Sequence, residues 1–156
     1  MTERLITYQA SDLAGAKRRE FLQAARAGAA RLRDTDGTSL VMVPQAAFDT
    51  LSELKSCAGR YLQVEGALER RRADRRPSDF GELAWLEVFD DDDLQTFRQE
   101  FHEALVQAVA SETTEPVDTC VLDWRTTAKA LSEGKRRRIL TGKPEAGDFE
   151  EVGAPD

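Results

Sequence analysis

The sequence is poor in the residues that build metal sites, disulfide frameworks and membrane spans. Its 156 residues include two cysteines and one histidine, and only 7% are aromatic. Cys57 and Cys120 lie far apart and neither belongs to a CxxC pair, so we predict two reduced, buried thiols and no structural zinc site. No run approaches the roughly 18 apolar residues of a membrane span, and no secretory signal is visible. We therefore expect a cytoplasmic protein without a membrane partner.

Motifs for catalysis are also missing. His102 is the only histidine, between Phe101 and Glu103 on a predicted helix, where a lone histidine is more often a surface residue than a base. The sequence has no nucleophile motif, no phosphate loop and no HExxH-type metal spacing. We therefore expect a protein that is not an enzyme and that uses no cofactor or metal.

Charge is abundant and unevenly distributed along the chain. Charged residues make up 33% of the sequence, and the net charge is -7. Residues 1–76 hold 14 Lys/Arg and 10 Asp/Glu, a net charge of +4, whereas residues 77–156 hold 8 and 19, a net charge of −11. A basic first half and an acidic second half indicate two different partners, although ordinary variation would also account for them.

The first half predicts the order β-α-β-β-α. A β-prone run at residues 4–8 precedes a helix that Ser11 or Asp12 can cap and that should end near Gly28. Arg18 falls among the apolar positions of this helix and must extend outward to reach water. The apolar stripe consists of Ala14, Phe21, Leu22, Ala25 and Ala29.

A hairpin and a second helix follow. Asp36-Gly37 predicts a two-residue turn, because glycine adopts positive φ at no steric cost. "SLVMV" at 39–43 is apolar on both faces, so we expect a central strand covered on both sides. Pro44 suits the first turn of the next helix. The inward face of that helix is predicted to hold Phe48, Leu51, Ala58, Leu62 and Val64.

Pro77 and Ser78 mark the end of this first unit, so we predict one domain at 1–76 and a helical region at 77–140. The fold class is α+β, a small β-α-β-β-α domain followed by mainly helical structure. Because three short strands and two helices bury little apolar surface, we expect a homodimer that shares one sheet. Residues 141–156 are rich in glycine, proline and acids and predict a disordered acidic tail.

The helical region has its own pattern. Four consecutive acids at 90–93 suit a helix N-terminus. "SETTEPVD" at 111–118 predicts a polar linker, and the helix after it places Trp124, Ala128 and Leu131 at helical spacing. The helix after the acids carries a narrow apolar stripe of Leu94, Phe97, Phe101, Ala104, Leu105 and Ala108.

Residues 6–51, "ITYQASDLAGAKRREFLQAARAGAARLRDTDGTSLVMVPQAAFDTL", resemble the N-terminal domain of the prevent-host-death (Phd/YefM) antitoxins. "LDWRTTAKALSEGKRRRILTG" is similar to a W-R-x-T-A segment in the C-terminal parts of some bacterial antitoxins. The resemblance implies a type II antitoxin that dimerises through its N-terminal domain and binds a palindromic operator before its own genes. It also implies a C-terminal segment that wraps a cognate toxin, commonly a ribonuclease or a Fic-type enzyme.

Functional residues carry over from this family only in part. In the family, DNA contacts come from the start of helix one and from an arginine just before the hairpin turn. Arg33 occupies the second place, four residues before Gly37. The first place is normally an arginine, and here Asp12 stands near it, so we expect Asp12 to cap the helix and the basic run at 17–19 to replace that contact.

Six basic residues are the predicted DNA contacts, since each Lys or Arg that neutralises a phosphate releases counterions. Arginine can also read guanine edges in the major groove. A two-fold dimer doubles these contacts and requires a palindrome. The six residues are Lys17, Arg18, Arg19, Arg26, Arg31 and Arg33.

The acidic half is predicted to bind a protein by laying an apolar stripe into a cleft. The alternative is that the stripe at 94–108 packs on residues 82–89 as a local core. Two other functions stay open, a stand-alone DNA-binding regulator without a toxin and an interaction protein without a DNA role. The predicted partner contacts are Trp85, Leu86, Phe89, Leu94, Phe97, Phe101, Leu105, Trp124 and Leu131.

Overall fold

The computed structural model describes residues 6–142, which are mixed α/β and mostly helical. The strands are β1 (Thr7–Gln9), β2 (Ala30–Arg33) and β3 (Ser39–Met42). The helices are α1 (Lys17–Ala27), α2 (Gln45–Leu68), α3 (Asp91–Ser111) and α4 (Glu115–Thr141). Shorter 3₁₀ segments cover Ala10–Ala14, Arg72–Asp74 and Pro77–Val88. Within residues 6–142 no helix is both long and apolar enough to cross a membrane.

The sheet and α1 build a small core of their own. The strand order is β1-β2-β3, with β1 parallel to β2 and β3 antiparallel to it. A parallel pair needs a crossover connection, and α1 supplies it. Tyr8 and Phe21 meet edge to face at 5.4 Å between ring centroids, and Ala25 and Ala30 are buried beside them. The prediction that Phe21 and Ala25 face inward is therefore confirmed.

The predicted first helix is divided into two segments. The chain forms a 3₁₀ turn over Ala10–Ala14, and α1 starts only at Lys17 and ends at Ala27, just before Gly28 as predicted. The Asp12 carboxylate caps the 3₁₀ turn, since it accepts a hydrogen bond from the Gln9 backbone N–H at 2.9 Å. The prediction that Ser11 or Asp12 is the N-cap of the first helix is therefore wrong, because Asp12 lies inside the 3₁₀ turn and α1 begins after Ala16 without a side-chain cap.

The hairpin loop is longer by one residue than predicted. The Asp34 N–H donates to the Thr38 carbonyl at 2.8 Å, which leaves a three-residue loop over 35–37. Gly37 takes φ +90, and its N–H closes the turn on the Asp34 carbonyl at 3.0 Å. The Asp36 side chain also accepts from the Thr38 N–H at 2.8 Å. These local side-chain bonds favour the longer loop over a two-residue turn.

The prediction that "SLVMV" is a covered central strand is wrong for this chain alone. β3 lies at the edge of the sheet, and Leu40, Val41 and Met42 are all about half exposed. The reason is that α1 packs over β1 and β2 and does not extend across β3. The apolar character of β3 on both faces is left without a cover from within residues 6–142.

The predicted inward face of α2 is also largely wrong. Phe48, Leu51 and Leu62 are exposed, and only Val64 of the predicted set is fully buried. α2 carries two apolar stripes, and the second has offsets of 3, 4, 3 and 4, the spacing of a helix that packs along its length. This second stripe is the buried one, and it consists of Leu54, Cys57, Tyr61, Val64 and Leu68.

That second stripe belongs to a larger helical core. α2 packs on the Pro77–Val88 segment and on α3, and α3 packs on α4. Phe97 lies at the centre, with edge-on contacts to Trp85 at 5.9 Å and Trp124 at 5.5 Å. The hydrophobic packing therefore changes from one core to the other within α2, upstream of the boundary predicted at residue 76.

α3 follows its prediction closely. Asp90 caps it by accepting a hydrogen bond from the Asp93 N–H at 2.9 Å. The predicted linker at 111–118 is too long, because α4 already begins at Glu115 and Val117 is fully buried. The tail predicted at 141–156 lies outside the described residues from 143 onward. Of the predicted stripe, Leu94, Phe97, Phe101, Ala104 and Ala108 are buried and Leu105 is half-buried.

Candidate nucleic-acid interface

The six predicted DNA contacts are all exposed. Lys17, Arg18 and Arg19 form the first turn of α1, and Arg26 lies in its last turn. Arg18 reaches solvent although the sequence places it among apolar positions. Arg18, Arg19 and Arg26 line one open cleft of about 800 Å³ along the outside of α1.

The two arginines of β2 point away from α1. Side chains alternate along a strand, and Ala30 and Leu32 take the side that packs on α1. Arg31 and Arg33 therefore occupy the other face of the sheet and are exposed. Arg33 lies between Gln9 of β1 and Ser39 of β3, so both of its cross-strand neighbours are polar.

The course of the chain brings Arg33 and the start of α1 to the same end of the sheet. Gln9 is the last residue of β1 and pairs with Arg33, and the 3₁₀ turn leads from Gln9 into α1. Because α1 then runs back along the sheet, Arg26 lies toward the opposite end. The topology therefore puts Arg33 and the basic run at 17–19 at the same end of the sheet, with Arg33 on the face opposite α1.

One acid lies within this group. Asp12 pairs with Lys17 at 3.4 Å as well as capping the 3₁₀ turn. The Gln9 N–H, and after it the Lys17 ammonium, hold the pKa of Asp12 below its ordinary value. Asp12 therefore stays ionised and offsets part of the charge of Lys17, which leaves Arg18 and Arg19 as the stronger anion-binding groups in this turn.

An apolar surface adjoins the basic group. We call Leu40, Val41, Met42, Val43, Phe48 and Leu51 the apolar face. Two clefts meet on it, one of about 540 Å³ that reaches Leu13 and Phe21 and one of about 450 Å³ against α2, and Val43 and Phe48 line both. Within residues 6–142 no strand pairs with the outer edge of β3. An exposed apolar patch beside an open strand edge is typical of a protein–protein interface.

The predicted partner contacts are mostly part of the chain's own core, and this corrects the prediction for five of them. Leu86, Phe89, Leu94, Phe97 and Phe101 are at most 3% exposed and cannot reach a partner in this structure. Aromatic packing among residues 85–124 buries them, so the alternative of a local core describes what is found. Trp85, Leu105 and Trp124 are half-buried, the Trp124 indole donates to Glu100 at 2.6 Å, and Leu131 is exposed.

A second surface was missed by the sequence reasoning. A groove of about 750 Å³ runs between the Pro77–Val88 segment and α4. Its α4 side is a stripe with offsets of 3, 4, 3 and 4, the same spacing as the core stripe of α3, but built mainly from polar residues. That spacing is the signal that could have found it. The stripe consists of Leu122, Arg125, Lys129, Ser132 and Arg136.

The cysteines and acids give no sign of a metal centre in the part of the chain that the structure describes. Cys57 and Cys120 are free, with Cys57 buried and Cys120 half-buried. Over residues 6–142 no group of three His, Cys, Asp or Glu residues could hold a metal ion. No family model, no curated protein and no solved structure matches this chain.

Proposed function

We propose that the chain is an antitoxin of the Phd/YefM type, a homodimer whose first half represses its own operon and whose second half binds a toxin. The observation that carries the proposal is that Arg33 and the basic run at 17–19 lie at the same end of the sheet. These are the two places from which the family resemblance leads us to expect DNA contacts. Both cross-strand neighbours of Arg33 are polar, so a phosphate can approach Arg33 without desolvating a buried group.

The electrostatics of the first half suit a DNA backbone. Arginine forms charge-assisted, bidentate hydrogen bonds with phosphate oxygens. About five contacts per protomer and ten per dimer give a steep salt dependence, since log K falls by about 0.9 for each phosphate contact per unit of log salt. The acidic second half repels DNA, which confines binding to the basic end of each protomer.

The apolar face fits an interface between two copies of the chain. Leu40 and Met42 lie on the α1 side of the sheet, at the edge that α1 does not reach. Phe48 and Leu51 continue that surface onto α2. A second copy placed against it by a two-fold axis would bury the same residues in both protomers. The same axis would repeat the basic end and match a palindromic site.

The DNA-binding half is tested by fluorescence anisotropy with the gene's own upstream DNA at several salt concentrations. Arg33→Ala should weaken binding and make the salt slope shallower by about 0.9 per contact, or roughly twice that in a dimer. Arg138→Ala is the matched control, because it removes an equally charged, exposed side chain from the end of α4. Equal effects of the two variants, or no binding at low salt, would refute the assignment.

Sedimentation tests the dimer independently of DNA. Phe48→Glu should convert the protein to monomers at micromolar concentration, because it places a charge in the proposed interface. Val109→Glu, on α3, is the control, since both side chains are 59% exposed. A monomeric parent protein, or dissociation by both variants, would contradict the interface.

A stand-alone regulator without a toxin is the second candidate. It is favoured by the burial of Leu86, Phe89 and Phe97 in the chain's own core, which leaves the second half already folded rather than waiting for a partner. Co-expression with the reading frame beside the gene separates the two functions. Rescue of growth from a toxic neighbour supports the antitoxin, whereas operator binding with no toxic neighbour supports the regulator. The absence of both would leave an interaction protein.

A further inference from the structure

The groove between α4 and the Pro77–Val88 segment combines an apolar floor with basic side chains. Trp85, Val88, Leu122 and Ala128 supply the apolar surface. On the rim, α4 contributes three basic residues at i, i+4 and i+11, which share one face of a helix. Those three residues are Arg125, Lys129 and Arg136. Such a surface fits a segment that alternates acids with large apolar side chains.

The charge of this groove is opposite to that of its surroundings. Residues 77–156 carry a net charge of −11, yet the three basic residues outnumber Glu87 and Glu133, the two acids that line the groove. Lys135 adds a further positive charge at the border, where its ammonium lies 3.4 Å from the Val88 carbonyl. An acidic ligand is therefore attracted here, while the remainder of this half repels it.

A segment with the complementary pattern follows α4 in the same chain. Residues 145–152, "EAGDFEEV", carry four acids and two large apolar side chains. The acids are Glu145, Asp148, Glu150 and Glu151, and the apolar side chains are Phe149 and Val152. We propose that this segment docks in the groove of its own protomer, with Phe149 against the Trp85–Val88 floor and the acids against the α4 arginines and lysine.

The lengths allow this arrangement. Lys129 lies 12 residues before Thr141, about 18 Å back along the helix. Phe149 lies seven residues beyond Gly142 and can reach about 24 Å when extended. Gly142 also permits a tight exit from α4, since a Cβ there would lie 2.5 Å from the Arg138 carbonyl oxygen. The segment can thus run antiparallel to α4 along the groove.

The covalent connection favours this occupant over a free one. A ligand tied to the end of α4 by a few residues has an effective concentration in the millimolar range. A separate acidic protein would have to displace the segment before binding, so the docked segment would lower the apparent affinity of any such competitor. This inference goes beyond the proposed function and does not depend on it.

Disulfide trapping in the full-length protein tests the proposal. The variant Gly147→Cys/Ser132→Cys places one thiol in the segment and one in the groove. The variant Gly147→Cys/Ala130→Cys is the control, because Ala130 is exposed on the same helix outside the groove and lies two residues farther from its end. Cys57 is buried and burial raises the pKa of Cys120 to about 11, so the native thiols compete little.

If the segment docks, the disulfide between positions 147 and 132 should form about tenfold faster than the disulfide between positions 147 and 130. Both rates are corrected for the reactivity of each thiol with a small disulfide. High salt should reduce this ratio, because ion pairs contribute to it. Equal rates of closure would overturn the proposal. Disulfides formed only between molecules would also overturn it, since they would assign the groove to the segment of a second copy.

A charge swap separates specific docking from proximity. Arg125→Glu/Lys129→Glu, introduced into the trapping variant, should abolish the preference for Ser132. Adding Glu150→Lys/Glu151→Lys should restore it, because the two sides again carry opposite charges. A preference that survives the first pair of changes, or that the second pair fails to restore, would refute the electrostatic part of the inference.

Discussion

Arg75 joins the end of α2 to the start of α3, and its removal is the most informative stability test. Its guanidinium donates to the Ala67 carbonyl at 3.1 Å, to the Arg70 carbonyl at 3.1 Å and to the Asp91 carboxylate at 2.9 Å. The side chain is only 10% exposed. It therefore adds a charged donor to the Ala67 carbonyl in the last turn of α2 and to the Arg70 carbonyl just beyond the helix.

The magnitude follows from the three hydrogen bonds. Each bond from a charged donor contributes about 1.5–3 kcal/mol, but Asp91 is half exposed and the carbonyls can partly recruit water, so we expect Arg75→Ala to cost about 2–4 kcal/mol in total. Arg72 pairs with the same Asp91 carboxylate at 3.6 Å, and its side chain is 57% exposed. Arg72→Ala should cost about 1 kcal/mol or less, as a solvent-exposed ion pair does.

Urea unfolding followed by circular dichroism measures both losses, read at an unchanged m-value. Arg75→Lys should recover less than half of the loss, because an ammonium lacks the planar fork that reaches three acceptors. Equal destabilisation by Arg72→Ala and Arg75→Ala would refute the reasoning. A loss below about 1 kcal/mol for Arg75→Ala would do the same.

Four further outcomes are expected. The Arg76 N–H and then the Arg70 guanidinium lower the pKa of Asp79 below 3.8. The contribution of Asp79 to stability is therefore complete above pH 3.8 and is lost as the pH falls through the lower folded pKa, so Asp79→Asn should destabilise the protein less at pH 2 than at pH 7 in urea titrations. Gly81 has φ 56 and ψ −123, so Gly81→Ala should lower the free energy of unfolding by about 1–3 kcal/mol. In contrast, Gly66→Ala in α2, where a Cβ meets nothing within 4 Å, should raise the free energy of unfolding by about 0.5–1 kcal/mol. Because burial, Glu100 and Asp123 raise the pKa of Cys120 from 9.0 to about 11, its alkylation at pH 8 should be roughly 100-fold slower in the native than in the urea-unfolded protein, measured by mass spectrometry.

The features predicted correctly are those that depend on local sequence. Asp90 and the acids after it define the start of α3, and the single stripe from Leu94 to Ala108 leaves one possible buried face. The end of α1 before Gly28 and the alternation of Arg31 and Arg33 with Ala30 and Leu32 are equally local. Each depends on neighbours within a few residues, and the sequence contains those neighbours.

The incorrect predictions arose where two patterns competed or where packing at long range decides. α2 has two apolar stripes, and only the position of α3 and the Pro77–Val88 segment selects the one through Cys57 and Val64. β3 is apolar on both faces, and this pattern cannot distinguish burial by its own chain from burial by a second copy. The aromatic residues between 85 and 124 suit an interface and a core equally well, so their burial could not be read from their identity.

The continuity of α2 determines how the protein can be divided. This one helix of 24 residues, about 36 Å long, has its first turns beside the apolar face and its last turns inside the helical core. A fragment that stopped at residue 76 would expose Cys57, Val64 and Ala67, which are buried against the second half. The basic first half therefore cannot be excised at Pro77 without exposing these apolar side chains, and the acidic half completes the core in which its longest helix folds.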